Sequence, residues 1–191
     1  MKVRLTEFIA FLAVCLSGWS TPTAALDLDP SIPKENRDWI EYIVADMFQS
    51  CLSDQPEGTD LSTVELKVAS DSIYQIPYKA DGSLATVFIE GGVSCTWVGS
   101  GWMGSGGSTI YVIAEGLLFE TRGFDIQSVT LEGWSQPVII IPRTGFWCEE
   151  KGNEYMGVSK AAPCMSAAIW DESRREFNSP DQVLQLSRLN P

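Results

Sequence analysis

The chain has 191 residues, with 13 Lys+Arg against 25 Asp+Glu, a formal net charge of -12, and no histidine. That length suits one domain, and 45% hydrophobic against 20% charged residues is enough apolar matter to fill a core. Without imidazole there is no Ser-His-Asp or Cys-His nucleophile pair, no histidine-ligated zinc or haem and no imidazole base. The acidity argues against nucleic acid as a partner, because phosphate recognition needs a basic footprint.

Residues 1–25 read as a secretory signal peptide. Lys2 and Arg4 form a positive n-region, Phe8 to Leu16 is the apolar run, and Thr23-Ala24-Ala25 supplies small residues for cleavage before Leu26. The run is shorter than the about 20 apolar residues a membrane span needs, and no later stretch approaches that length. Lipidation at Cys15 is disfavoured because Val14, not a small residue, precedes it. The expected mature chain of 166 residues carries 11 basic and 24 acidic side chains, and residues 26–60 alone hold nine acidic and two basic. The expected location is therefore the periplasm or the exterior.

Cys51, Cys95, Cys148 and Cys164 remain in that mature chain. An even number in an exported protein implies two disulfides, with three possible connectivities. The short loop between Cys148 and Cys164 favours that pair, and elimination then joins Cys51 to Cys95. A four-thiolate metal site is the rival; the absence of any C-x-x-C argues against it.

Residues 26–35, with two prolines and no hydrophobic period, form a leader. From Asn36, Trp39, Ile40, Ile43, Met47, Phe48, Cys51 and Leu52 recur at three- and four-residue intervals, which predicts an amphipathic helix over 35–52. Its polar face is acidic, so it is expected to pack on a core and not on a membrane surface. After Gly58 the period becomes strand-like. Val64–Val68 alternates cleanly with Ser72–Ile76 as its expected partner, and Leu84–Ile89 follows the Asp81-Gly82 turn. Thr109–Ile113 and Leu117–Glu120 form a hairpin across Ala114-Glu115-Gly116. Phe124–Leu131 and Val138–Ile141 come next, then a hairpin of Ala167–Asp171 with Arg175–Phe177. Ser179-Pro180-Asp181 has the cap chemistry of a short C-terminal helix, so residues 179–191 are expected to be such a helix or a tail. The domain therefore spans 36–178. The expected fold is mainly β: an antiparallel sheet or sandwich of about seven to nine short strands with one N-terminal helix packed on it. An α+β arrangement is the alternative.

Gly91–Gly107 holds seven glycines in seventeen residues, with Trp97 and Trp102. Gly99-Ser100-Gly101-Trp102-Met103-Gly104 satisfies G-x-G-x-x-G. A β-branched strand follows it, however, where a dinucleotide site needs a helix N-terminus. No Lys follows for a phosphate loop, and no G-x-S-x-G is present. The segment is read as a loop whose tryptophans either cap the core or form a contact surface, which makes Trp97, Gly101, Trp102 and Gly104 the candidate binding residues. Carboxylate pairs remain as catalytic candidates: Glu149-Glu150, Glu115 with Glu120, and Asp171-Glu172. All three lie at expected turns or strand ends, where solvated charge is the default. Around Asp81-Gly82 the earlier ligand places of a calcium loop are taken by Pro77 and Lys79, so a plain turn is expected. No cofactor or metal set is legible.

Four features from Ala80 to Phe177 carry a family resemblance. They are Ala80-Asp81-Gly82 before an apolar strand, and Cys95 before a Gly-Ser-Gly-Gly loop. Next come the run Pro137–Ile141 with Gly145, Cys148 and Ala162-Pro163-Cys164, and finally Ile169-Trp170-Asp171. This stretch resembles a group of small exported, β-rich, mostly alphaproteobacterial proteins without assigned activity. In that group the first feature looks like the Asp-Gly turn of FG-GAP-type β repeats, here degenerate. Two cysteines flank the glycine loop there, where this chain has Met103 and Ser108. The resemblance implies export, β architecture and the Cys148–Cys164 bond. Together these readings predict a non-catalytic, exported interaction or binding module whose charge favours a basic envelope protein as partner. A carboxylate-based hydrolase acting on an envelope polymer is the alternative.

Overall fold

In the computed structural model, residues 26, 28–96, 102, 107–143, 164–178 and 185–186 are described. Among the described residues one helix, α1 (Lys34–Ser53), precedes the strands. Pro33 leads into it, and its carbonyl accepts from the Asn36 and Arg37 N–H groups at 3.0 Å. The three- and four-residue spacing of Ile40, Ile43, Val44, Met47 and Cys51 puts them on one face, and all are buried. The described strands are β1 (Leu66–Val68), β2 (Ile73–Pro77), β3 (Leu84–Ile89), β4 (Val93–Cys95), β5 (Ser108–Ala114), β6 (Leu117–Gly123), β7 (Gln127–Val129), β8 (Val138–Arg143), β9 (Cys164–Asp171), β10 (Glu176–Asn178) and β11 (Gln185–Leu186). They exceed the number read from the sequence because several are only two or three residues long. Segments that short carry too little alternation to register as a period.

Among the described residues every pairing is antiparallel, in three sheets ordered β11-β6-β5-β3-β2, β10-β9-β8-β7 and β1-β4. The fold is thus mainly β with one helix packed on it. One expected pairing is different. Val64–Val68 does not meet Ser72–Ile76; β1 pairs with β4, Leu66 opposite Cys95, while β2 pairs with β3. A 3-10 turn at Ser70–Ser72 redirects the chain, and the Ala69 N–H bonds Gly92 O at 2.9 Å. A second 3-10 turn, Glu90–Gly92, lies against the first, and a Cβ on Gly92 would collide with the Ser72 side chain. At the other end, Gln185 and Leu186 add a short strand to β6 where the sequence reading has a helix or tail; residues 179–184 and 187–191 lie outside the described residues.

Along β3, β5 and β6 the five-stranded sheet is buried on both faces. Ala85, Val87, Ile110, Val112, Ala114 and Phe119 face the four-stranded sheet and meet Ile139, Ile141, Ala168, Trp170 and Phe177. Phe88, Tyr111, Ile113 and Leu118 face the helix and meet Ile40, Ile43, Val44 and Met47. Period-two alternation sorts neighbouring residues such as Val87 and Phe88 into opposite cores, so β3 and β5 must be apolar nearly throughout. Asn36, buried in α1, donates from Nδ2 to Thr86 Oγ1 at 2.9 Å and so satisfies a hydroxyl that β3 buries. Tyr74 of β2 closes one flank of the two sheets by donating from its hydroxyl to Asp125 Oδ1 and Ile126 O, both at 3.0 Å. The Phe124 N–H to Pro142 O bond, 3.2 Å, and Arg143 Nε to Arg122 O, 2.9 Å, close the other.

Cys51 in the last turn of α1 and Cys95 at the end of β4 form a disulfide, with 5.9 Å between their Cα atoms. Gln55 seats against it, donating from Nε2 to Cys51 O at 2.7 Å and to Thr96 O at 3.1 Å. Cys164, at the head of β9, is disulfide-bonded as well; Cys148 lies outside the described residues, as does the signal segment 1–25. No helix among the described residues is long and apolar enough to cross a membrane.

Phe88 stacks on Tyr111 (ring centroids 6.2 Å apart) and is fully buried between sheet and helix. Phe88→Ala should therefore cost about 3–5 kcal/mol, read as a lower urea midpoint at unchanged slope. A loss under about 1 kcal/mol would mean that the helix-side core is not packed as described.

Candidate functional site

Three turns far apart in sequence meet at one end of the two large sheets. The first is the β5–β6 turn. Ala114 pairs with Leu117, leaving a two-residue loop, Glu115-Gly116, with φ of 52° and 72°. Positive φ at both central places is the signature of a type I′ turn, where Asn or Asp is the usual first residue before Gly. Glutamate there costs about 1 kcal/mol of backbone strain. The only other described non-glycine residue with positive φ is Arg175 (53°), in the loop between β9 and β10. These two residues are bonded to each other, Arg175 Nε donating to Glu115 Oε2 at 2.6 Å. Two strained positions in direct contact mark side chains whose interaction outweighs local preference.

Lys79, just after β2, completes the cluster. Its ammonium donates to Glu115 Oε1 and lies 2.8 Å from Glu172 Oε2, while its side chain is only 16% exposed. It also sits 5.6 Å from the ring centroids of both Tyr78 and Trp170, within cation–π range. Trp170 donates from Nε1 to Glu172 Oε2 at 2.8 Å. Beneath the ions, Tyr78, Phe119, Trp170 and Phe177 pack edge to face, with ring centroids 5.0–6.2 Å apart. From the helix side, Trp39 Nε1 bonds Gly116 O at 2.9 Å, so all three layers hold this one turn.

The electrostatics run one way. Lys79, and then Arg175, hold the Glu115 carboxyl below the usual carboxylate range, and Lys79 with the Trp170 indole does the same for Glu172. The two carboxylates in turn raise Lys79 above the usual lysine range. The Ser173 hydroxyl, helped by the Arg174 and Ser173 amides, lowers Asp171, and the Ser83 hydroxyl and amide lower Asp81. Lys79, Glu115 and Glu172 are thereby each held in the charged form at neutral pH. Glu115 and Glu172, drawn from two different candidate pairs, are brought together on one lysine; both are held ionised, and neither is poised to give up a proton. Glu120 stands elsewhere, opposite Tyr111 on β6.

Beside the cluster, on the outer side of β9 and β10, lies a groove of about 680 Å³. Gln136, Ile169, Trp170, Asp171, Glu172, Ser173 and Asn178 line it. Gln136 is anchored by its Nε2 bond to Trp170 O at 3.3 Å. Of the residues singled out from the glycine-rich loop, Trp102 is half-buried and packs against the helix-side core, whereas Trp97, Gly101 and Gly104 lie outside the described residues, as do Glu149 and Glu150. Asp81-Gly82 forms a turn in which Asp81 Oδ1 accepts from the Ser83 N–H at 2.9 Å and from its hydroxyl. Among the described residues no group of three or more acidic or cysteine side chains is placed to hold a metal ion.

Sequence reasoning passed over Lys79, Arg175, Gln136, Ile169 and Asn178. One signal was available: Asp-x-Ser recurs as Asp29/Ser31, Asp60/Ser62, Asp81/Ser83 and Asp171/Ser173, and in each the aspartate caps the serine N–H. Two of these turns border the site. The chain matches no protein-family model, and no curated protein or solved structure matches it.

Glu115→Asn separates turn preference from ion pairing. Asparagine suits the turn better, yet the variant should lose about 1 kcal/mol at pH 7, because two charge-assisted bonds go with the carboxylate. A depressed carboxyl stabilises above its ordinary pKa, and that contribution is lost as pH falls through the folded value. The deficit should thus be constant above about pH 5 and shrink below about pH 4. A variant more stable than the parent at pH 7 would show the cluster to be ornamental.

Proposed function

We propose that the protein is an exported, non-catalytic interaction module that recognises a cationic partner protein of the cell envelope. The observation that carries this reading is the acidic excess at the turn cluster and its surroundings. Asp81, Glu115, Asp171, Glu172 and Glu176 stand against Lys79, Arg174 and Arg175, so the excess is acidic here as in the chain as a whole. Those carboxylates are fixed by hydrogen bonds before any partner arrives, which lowers the entropic cost of using them in recognition. A hydrolase built on two carboxyls needs one of them protonated opposite an ionised one. Glu115 and Glu172 offer two anions bound to the same ammonium.

Export is supported by the signal-like residues 1–25 and by the Cys51–Cys95 disulfide, a bond that forms and persists in oxidising compartments. The pairing of Cys148 with Cys164 belongs to the same reading. The resemblance to small exported β-rich proteins with a degenerate FG-GAP-like turn supports export and adds no activity.

Immobilised mature protein should retain lysozyme, a small basic protein, at about 20 mM salt and release it by about 300 mM, as screening shortens the reach of surface charge. Serum albumin, an acidic protein, should pass through. Failure to retain lysozyme at low salt would overturn the cationic-partner reading.

A further inference from the structure

The outer face of the four-stranded sheet has a pattern that its structural role does not require. Residues of β9 that point away from the core are Met165, Ala167, Ile169 and Asp171, and beside them on β8 lie Ile140 and Pro142. A solvated sheet face normally alternates apolar-in with polar-out. Here the outward set is apolar until it reaches Asp171, and Met165 is 75% exposed. This strip runs into the groove, whose lining includes Ile169 and the acidic Asp171 and Glu172. Across the groove, the loop 130–137 carries Trp134, which is 51% exposed, and Gln136.

We propose that this groove, between the loop 130–137 and strands β9 and β10, docks an extended basic segment of the partner protein. Alternate apolar side chains of that segment lie along Ile169, Ala167 and Met165, and a lysine or arginine meets Asp171 and Glu172. The inference rests on the cationic-partner reading and adds the surface and the conformation of what binds. Charge decides the occupant. The charged residues of the lining, Asp171 and Glu172, are both acidic; Asp171 is held by the Ser173 and Arg174 amides and Glu172 by the Trp170 indole and Lys79, so both carboxylates have a set direction that a basic segment complements. Spacing decides the conformation. The strip has the two-residue period of a strand, and an extended chain lying along β9 presents its side chains at that same period.

The probe is the peptide acetyl-Lys-Val-Lys-Val-Lys-Val-amide, with the Glu-Val counterpart as control, added to ¹⁵N-labelled mature protein at low salt. Binding should move the side-chain amide signals of Gln136 and Asn178 and the backbone signals of β9, and the Glu-Val peptide should move none of them. The pair Asp171→Asn with Glu172→Gln keeps the oxygens that cap the turn and accept from Trp170. It should weaken binding about ten-fold, and Ile169→Gln should weaken it by a similar factor without touching charge. An unchanged affinity in both variants, with the shifts falling on residues 34–60, would overturn the groove while leaving the cationic-partner reading in place. Equal binding of the Glu-Val peptide would overturn the charge argument for the groove. If the wild type binds neither the Lys-Val peptide nor lysozyme at low salt, both the groove and the reading beneath it are wrong.

Discussion

Burial of the five-stranded sheet on both faces along β3, β5 and β6 is the constraint from which the rest of the architecture follows. A sheet with one wet face needs one cover, but this one needs two, because Val87 and Phe88, adjacent in the chain, are both inaccessible to water and point opposite ways. On one side the cover is the second sheet, held by interdigitated Ile139, Ile141 and Trp170. On the other it is a single helix, whose apolar stripe is one helix face wide. The helix therefore carries extra fastenings: the Asn36 amide into β3, the Trp39 indole onto the β5–β6 turn, and the Cys51–Cys95 disulfide at its far end. That disulfide closes a span of 44 residues, and in the loop-entropy account a closure of this length contributes about 4 kcal/mol by restricting the unfolded chain.

A second dependency links fold to site. At the Glu115-Gly116 turn helix, central sheet and outer sheet all make polar contact, through Trp39, Lys79 and Arg175. Backbone strain at Glu115 and at Arg175 is tolerated because each supplies the other's partner. Above the aromatic packing of Tyr78, Phe119, Trp170 and Phe177, this ion cluster aims Glu172 and its neighbour Asp171 toward the groove. Stability and recognition thus share residues: the indole that fills the core also sets the direction of a groove carboxylate.

Much of this was legible in the sequence where a period ran long enough to read. The helix expected over 35–52 is α1, 34–53, and the hairpin across Glu115-Gly116 is β5–β6. The partner of β1 was not legible, since sequence proximity favours Ser72–Ile76 and only the turn at Ser70–Ser72 sends β4 back instead. The site was harder for a simple reason. Lys79, Glu115, Glu172 and Arg175 come from three separate turns, and nothing in the local pattern of any one of them announces the others. Composition pointed instead to the glycine-rich loop, whose Trp102 packs on the helix-side core. Of the carboxylate pairs drawn from the sequence, Glu115 with Glu120 is separated along β6, whereas Glu115 and Glu172, taken from two pairs, meet on Lys79.

The central claim, that a doubly buried sheet is the spine of the molecule, is tested most directly by native-state amide hydrogen exchange. In this account the amides of Val87, Phe88, Tyr111 and Val112 open only with global unfolding, so their exchange free energy equals the unfolding free energy from urea titration. Amides of α1 and of β8–β9 should exchange through smaller openings, since each covers the sheet from one side. Slower exchange in β8–β9 than in β3 and β5 would contradict the account and make the outer sheet the stable unit.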